Sequence, residues 1–228
     1  MVTKQIKKSP DASKVSHFNG IKKDEKPELN SINLNELGKQ LIESAKKNNL
    51  EKVEELINRG ADINFKDEFD FTPLFWAVFF EKNIDIVRLL IEKNADLNVQ
   101  NKEGTPLILA VKNGNTDTAL LLIEKNANFN IQDNDGYDAL YWAIHFNEKK
   151  VLRELIKSGA NLNAQNNFGG TALIKTAWNN DAYMVHLLIE NGADLNLQDK
   201  EGKTALDRAK EKEYSDIIEI LREAGAKE

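Results

Sequence analysis

The sequence predicts an all-α array of helix–turn–helix units. Three observations predict it: a 33-residue internal period, two apolar stripes at helical spacing within each period, and Gly or Asn where each stripe stops. Thr72, Thr105, Asp138, Thr171 and Thr204 are 33 residues apart, and each is followed two places on by Leu74, Leu107, Leu140, Leu173 or Leu206. One step back lands on Lys39 and Leu41. A second series, Ala61-Asp62, Ala95-Asp96, Ala127-Asn128, Ala160-Asn161 and Ala193-Asp194, carries Asn64, Asn98, Asn130, Asn163 or Asn196 two places further, at spacings of 34, 32, 33 and 33. Residues 31–228 make six such periods, leaving an amino-terminal tail of residues 1–30.

The elements follow in chain order. Asn33 with Glu36 three residues later forms a capping box at the first helix. In each later unit Thr72-Pro73 or its counterpart Thr105-Pro106 puts a hydroxyl at the N-cap and proline at the first helical position, where no N–H is needed. Leu74, Ala77 and Val78 then share one face of this helix A, and the small residues Ala77, Ala110, Ala143, Ala177 and Ala209 suit close helix contact. Asn48, Gly114, Asn147 and Asn180 end helix A, because these residues accept the left-handed conformation beyond a C-cap. Helix B follows with the stripes Val53-Leu56-Ile57, Val87-Leu90-Ile91, Ala119-Leu122-Ile123, Leu152-Leu155-Ile156 and Val185-Leu188-Ile189. Gly60, Asn94, Asn126, Gly159, Gly192 and Gly225 close it, and polar runs such as Gln132-Asp133-Asn134-Asp135-Gly136 turn the chain into the next unit. The 34 and 32 spacings predict one extra residue near Phe80–Ile84, hence an irregular turn in unit two, and one missing before Thr105. Lys39, Gln40 and Lys52 in the first unit and Arg222 in the last put polar groups where other units are less polar, as the exposed ends of a stack require.

The motifs Thr72-Pro73-Leu74, Thr105-Pro106-Leu107, Gly192-Ala193-Asp194-Leu195-Asn196 and Asp199-Lys200-Glu201-Gly202 resemble the ankyrin-repeat family over residues 31–228. The resemblance implies paired antiparallel helices stacked as a curved solenoid, with turns projecting from one edge and a concave side that grips partner proteins. Departures are Ala139, Ala172 and Ala205 in place of proline, and Phe75, Ile108, Tyr141, Ile174 and Asp207 where the family often has histidine. These weaken the local bonding of helix A without abolishing the fold.

Composition narrows the function. The 228 residues are 41% hydrophobic and 30% charged, which suits a folded chain. The net charge of −6 disfavours phosphate backbones and anionic lipid, so neither nucleic acid nor membrane is expected as a partner. No apolar run approaches a membrane span and no signal-peptide core follows Met1–Ser9, so a cytoplasmic protein is expected, with non-classical export left open. The tail carries seven lysines against four acids, net +3, leaving −9 on the repeats; it is expected to be mobile rather than folded back on them.

No cysteine is present, and His17, His145 and His186 lie outside any metal-binding spacing, so no metal or other cofactor is expected. Phosphate-loop, dinucleotide, nucleophile-elbow and zinc-helix motifs are absent, and nothing supports an enzyme. Asp133-Asn134-Asp135-Gly136 lacks the first carboxylate and closing Glu of a calcium loop and reads as a turn.

What remains is aromatic. Trp76, Phe79 and Phe80 share a second face of helix A; Trp142, His145 and Phe146 occupy the same places in unit four, and Lys175, Trp178 and Asn179 in unit five. Phe69, Phe71, Tyr137 and Phe168 sit at the turn tips. The aromatic residues among these, with His145, are the expected partner-binding set, and packing between repeats or against the tail is the competing role for Trp76, Phe75 and Tyr141. Acidic turn residues Glu68, Asp70, Asp133 and Asp135 favour a basic partner. The expectation is a monomeric, non-enzymatic protein-interaction module. The alternatives are an inhibitor or immunity protein that neutralises a basic toxin, and an effector delivered into a host cell through the tail.

Overall fold

A computed structural model describes residues 33–80 and 83–227; the tail of residues 1–30 and its expected mobility lie outside them. Among the described residues there are twelve α-helices and no strand. Helix A of the six repeats is α1 (Leu34–Lys46), α3 (Pro73–Phe79), α5 (Pro106–Lys112), α7 (Ala139–His145), α9 (Ala172–Trp178) and α11 (Ala205–Glu211). Helix B is α2 (Leu50–Asn58), α4 (Ile84–Glu92), α6 (Thr116–Glu124), α8 (Lys149–Lys157), α10 (Ala182–Glu190) and α12 (Ser215–Glu223). Successive A helices pack on one another, and each B helix packs behind its own A helix, which is the all-α solenoid expected. No helix among the described residues is long and apolar enough to cross a membrane.

The caps form as the sequence requires. Thr72, Thr105, Asp138, Thr171 and Thr204 each accept the backbone N–H three residues on. Asp207, a departure from the family pattern, completes a capping box with Thr204. At α1 the box is half formed: Asn33 accepts from Glu36 N at 3.2 Å, but the Glu36 carboxylate accepts from Gln40 Nε2 instead. Helix A ends before a left-handed residue at Asn48, Gly114, Asn147 and Asn180, and in the last repeat at Glu213. Repeat two differs. Phe80 at the end of α3 is extended (φ −99°, ψ 109°), whereas the other helix-A C-caps have ψ near 0°. The residue missing before Thr105 is the one that separates Gly from the cap in other turns: Asn101–Gly104 leads straight into Thr105, while Gly136 is followed by Tyr137 and then Asp138.

The core repeats with the period. Leu56, Leu90, Leu122, Leu155, Leu188 and Leu221 of helix B are fully buried, as are Leu41, Leu107 and Leu206 of helix A, with Leu74, Leu140 and Leu173 nearly so. Truncating any one of them to Ala costs about 2–5 kcal/mol. The small-residue series needs one correction: the register places Thr176, not Ala177, beside Ala110 and Ala143. Thr176 is fully buried and its hydroxyl donates to Leu173 O at 3.0 Å, which satisfies it inside the helix.

Polar side chains tie neighbouring repeats. Asn64, Asn98, Asn130, Asn163 and Asn196 each accept a backbone N–H from the next turn at 2.8–3.0 Å. Gln100, Gln132 and Gln165 each donate to the carbonyl of Gln132, Gln165 or Gln198. Buried Asn83 and Asn115 donate to Ala45 O and Val78 O at 2.7 and 2.9 Å. In repeats four to six the turns themselves are zipped: Asn167 N donates to Asp135 O and Lys200 N to Phe168 O. That approach requires glycine, since a Cβ on Gly136 would lie 2.7 Å from Asn167 N and one on Gly169 2.8 Å from Lys200 N.

Candidate protein-binding face

The helix-A face is built from one motif used twice. In repeat two Trp76 lies 5.7 Å from Phe79 and 6.2 Å from Phe80, ring centre to ring centre, with the Phe80 ring stacked. In repeat four, 66 residues on, Trp142 lies 5.3 Å from His145 and 5.6 Å from Phe146, again with the last ring stacked. Phe79, Phe80, His145 and Phe146 are exposed, and the two tryptophans are half-buried. Trp178 of repeat five extends the same row and is also exposed.

Each tryptophan of the motif is fastened to its own turn. Trp76 Nε1 donates to Asp67 Oδ2 and Trp142 Nε1 to Asp133 Oδ2, both at 2.8 Å. The other oxygen of Asp67 takes the N–H groups of Phe69 and Phe71, and that of Asp133 takes those of Asp135 and Tyr137. In repeat six Arg208 stands where the tryptophan does and donates to Asp199 Oδ2 through Nε at 2.9 Å and Nη2 at 2.6 Å. Burial would raise the Asp199 pKa, but the Lys203 N–H and the Arg208 guanidinium hold it below the ordinary carboxylate value. Asp133 is thus committed to its turn, and the sequence-named acids that project from the tips are Glu68, Asp70 and Asp135.

The turn-tip aromatics divide. Phe69 and Phe168 are exposed, Phe168 by 63%. Phe71 is corrected from the binding set: it is 8% exposed, because its ring turns inward to pack edge-on against Phe75 at 5.3 Å and beside Trp76 at 5.0 Å. Phe75 is fully buried. Tyr137 is half-buried and stacks on Tyr141 at 4.2 Å; burial, with Tyr137 alongside, pushes the Tyr141 hydroxyl well above its usual pKa.

A feature absent from the sequence expectation is a cation over each indole. Lys46 Nζ lies 4.1 Å from the Trp76 ring centre, Lys112 Nζ 4.9 Å from Trp142, and Lys212 Nζ 3.9 Å from Trp178, with Arg208 on the same ring at 5.7 Å. Lys46 and Lys112 come from the repeat before their tryptophan, 30 residues upstream. That spacing is the sequence signal that could have found them.

The profile of ankyrin repeats (three copies) matches residues 25–101, 41–133, 81–166 and 140–228. The chain belongs to the ankyrin-repeat family. Ankyrin repeats are protein–protein interaction modules, and no catalytic family is indicated. An ankyrin repeat domain from Acinetobacter baumannii is 30% identical, with a TM-score of 0.76 over 82% of this chain and 98% of that one. A chain in the structure of the predatory endopeptidase Bd0816 from Bdellovibrio bacteriovorus in complex with immunity protein Bd3460 is 35% identical, with a TM-score of 0.69 over 81% of this chain and 97% of that one. A putative ankyrin repeat protein of fowlpox virus is 43% identical over 54 residues, 23% of this chain. This ankyrin chain spans 10% or less of the length of the first curated relatives it matches.

Proposed function

We propose that the protein is a non-enzymatic binding module that grips a partner protein on the helix-A face and turn tips. The observation that carries this reading is the exposed aromatic motif of repeats two and four, continued by Trp178, which no core packs against among the described residues. Exposed aromatic clusters of this kind serve as binding anchors. The rigid stack of repeats also limits the ordering entropy that association must overcome. Glu68, Asp70 and Asp135 at the tips favour a partner whose facing rim is basic. The reading takes the working form to be a cytoplasmic monomer.

A second form of the same reading is an inhibitor or immunity protein. It is favoured by the likeness to a chain of an endopeptidase–immunity protein complex, which extends over nearly all of that chain.

The test is affinity capture from native lysate with the protein and with a Phe80→Glu/Trp178→Glu variant shown to be equally helical. A discrete partner captured by the first and lost by the second supports the face; a partner retained by both moves the site elsewhere. If that partner is a hydrolase, inhibition of its activity by the purified protein selects the inhibitor form.

A further inference from the structure

In repeats four to six a hollow of about 360 Å³ opens between the turn tips and the helix-A face, walled by Tyr137, Tyr141, Phe168 and Trp178, by the cations Lys175 and Arg208, and by the carboxylates Asp199 and Glu201, both of which are paired with Arg208. The two cations differ in kind. Arg208 is saturated, with Asp199 at 2.6 Å and Glu201 and Glu211 at 3.0 Å. Lys175 has no carboxylate within 4.0 Å among the described residues; its ammonium lies 5.9 Å from the centre of the Tyr141 ring. It is half-buried, and loss of hydration pushes its pKa down. His145 beside it is also pushed down, first by burial and then by the Lys175 charge. An ammonium that has lost water and gained no counter-ion is costly, and it is relieved by a carboxylate brought in from outside. Lys200 on the rim is a second cation without a carboxylate within 4.0 Å among the described residues.

The walls argue against the opposite chemistry. The Trp178 face is already covered by Lys212 and Arg208, so a partner lysine or arginine would find the aromatic site filled and Lys175 repelling it. An apolar side chain, by contrast, can lie against the exposed parts of Trp178 and Phe168.

We propose that this hollow is an acidic-residue subsite, taking a partner segment in which an Asp or Glu pairs with Lys175 while an adjacent apolar side chain packs on Trp178 and Phe168. The proposal rests on the helix-A face being the binding surface and adds the chemistry of the segment that sits there.

The experiment is selection of phage-displayed 12-residue random peptides on the full chain, keeping those that fail to bind the Phe80→Glu/Trp178→Glu variant. The expected result is enrichment of Asp or Glu next to an aromatic or aliphatic residue. Synthetic peptides from the winners should bind at least tenfold more weakly to Lys175→Met, retain binding to Lys175→Arg, and be indifferent to Lys93→Met on the helix-B side. Urea unfolding of each variant separates loss of binding from loss of fold. Face-dependent peptides without acidic enrichment, or acidic peptides indifferent to Lys175→Met, would overturn the subsite and leave the binding face standing. If no peptide depends on the face, the subsite and the face as a receptor for extended segments both fall.

Discussion

The N-cap of α7 should make the protein respond to pH in a way its sister repeats do not. Asp138 occupies the position held by threonine in repeats two, three, five and six and is 4% exposed. Burial raises its pKa from 3.8 to about 6, against the pull of the Tyr141 and Leu140 N–H groups. The folded state therefore holds this proton more tightly than the unfolded chain. Its stabilising contribution is complete below the unfolded value and is lost as pH rises through about 6. Two pKa units correspond to about 3 kcal/mol, so ionised Asp138 costs the fold about that much at pH 7 and only about 1 kcal/mol at pH 4.5. Asp138→Thr keeps an oxygen on the Tyr141 N–H, as Thr105 does for Ile108, and removes the charge. Urea unfolding should show the variant more stable by up to about 3 kcal/mol at pH 7, shrinking to about 1 kcal/mol at pH 4.5. An equal difference at both pH values, or a less stable variant at pH 7, would mean that the helix N-terminus solvates the carboxylate and the burial argument is wrong.

Three further outcomes can be read by urea denaturation. Trp142→Phe keeps a ring but strips the donor from Asp133 and should cost about 1–3 kcal/mol, whereas Trp178→Phe, whose indole N–H has no such partner among the described residues, should stay within about 0.5 kcal/mol. Glu213→Asn should stabilise by about 0.5–1 kcal/mol, because Glu213 is exposed at φ 57° where asparagine is tolerated better. Asn115→Ala, which removes the buried amide bond to the Val78 carbonyl, should cost about 1–3 kcal/mol, while Asn130→Ala should cost about 1 kcal/mol or less, because the Asn161 N–H it frees is near solvent.

The period, both helices of each unit and most helix ends were legible because each depends on local chemistry: a cap oxygen, an apolar stripe, a residue that tolerates positive φ. The failures are places where packing overrides that chemistry. Glu213 adopts a left-handed backbone that its residue type does not announce. Thr176 passes as a small core residue only because its hydroxyl finds Leu173 O one turn back. At the candidate site, the exposed rings of helix A were legible from their i, i+3, i+4 spacing. Phe71 was not, since its direction is set by packing against Phe75 and Trp76, which only the folded turn brings together. The latches were written in the sequence at a spacing of nine, as Asp67 with Trp76, Asp133 with Trp142 and Asp199 with Arg208, but only the folded turn shows why that spacing closes.

Net charge was the least local of the sequence readings, because it averages over a surface on which charge is unevenly placed. At the helix-A positions equivalent to Trp76, Phe79 and Phe80 the six repeats carry the cations Lys46, Lys47, Lys112, Lys175, Arg208 and Lys212 against only Glu43 and Glu211. A chain of net −6 thus carries +4 at these helix-A positions, beside the acidic turn tips. At physiological ionic strength charges are screened beyond about 8 Å, so a segment lying on this face senses the local stripe more than the whole molecule. The stripe also bears on the unbound protein. Exposed indole and phenyl rings invite self-association, and a lysine laid over Trp76, Trp142 or Trp178 covers apolar surface while keeping its ammonium in water. Lys46 and Lys112 are also held by Glu43 at 3.3 Å and Glu103 at 3.7 Å, so an acidic partner residue would have to compete with these carboxylates to draw the ammoniums off the rings. The cations that shield the aromatic anchors in the free protein would then expose them as the partner arrives, so charge pairing and apolar burial on this face would be coupled rather than additive.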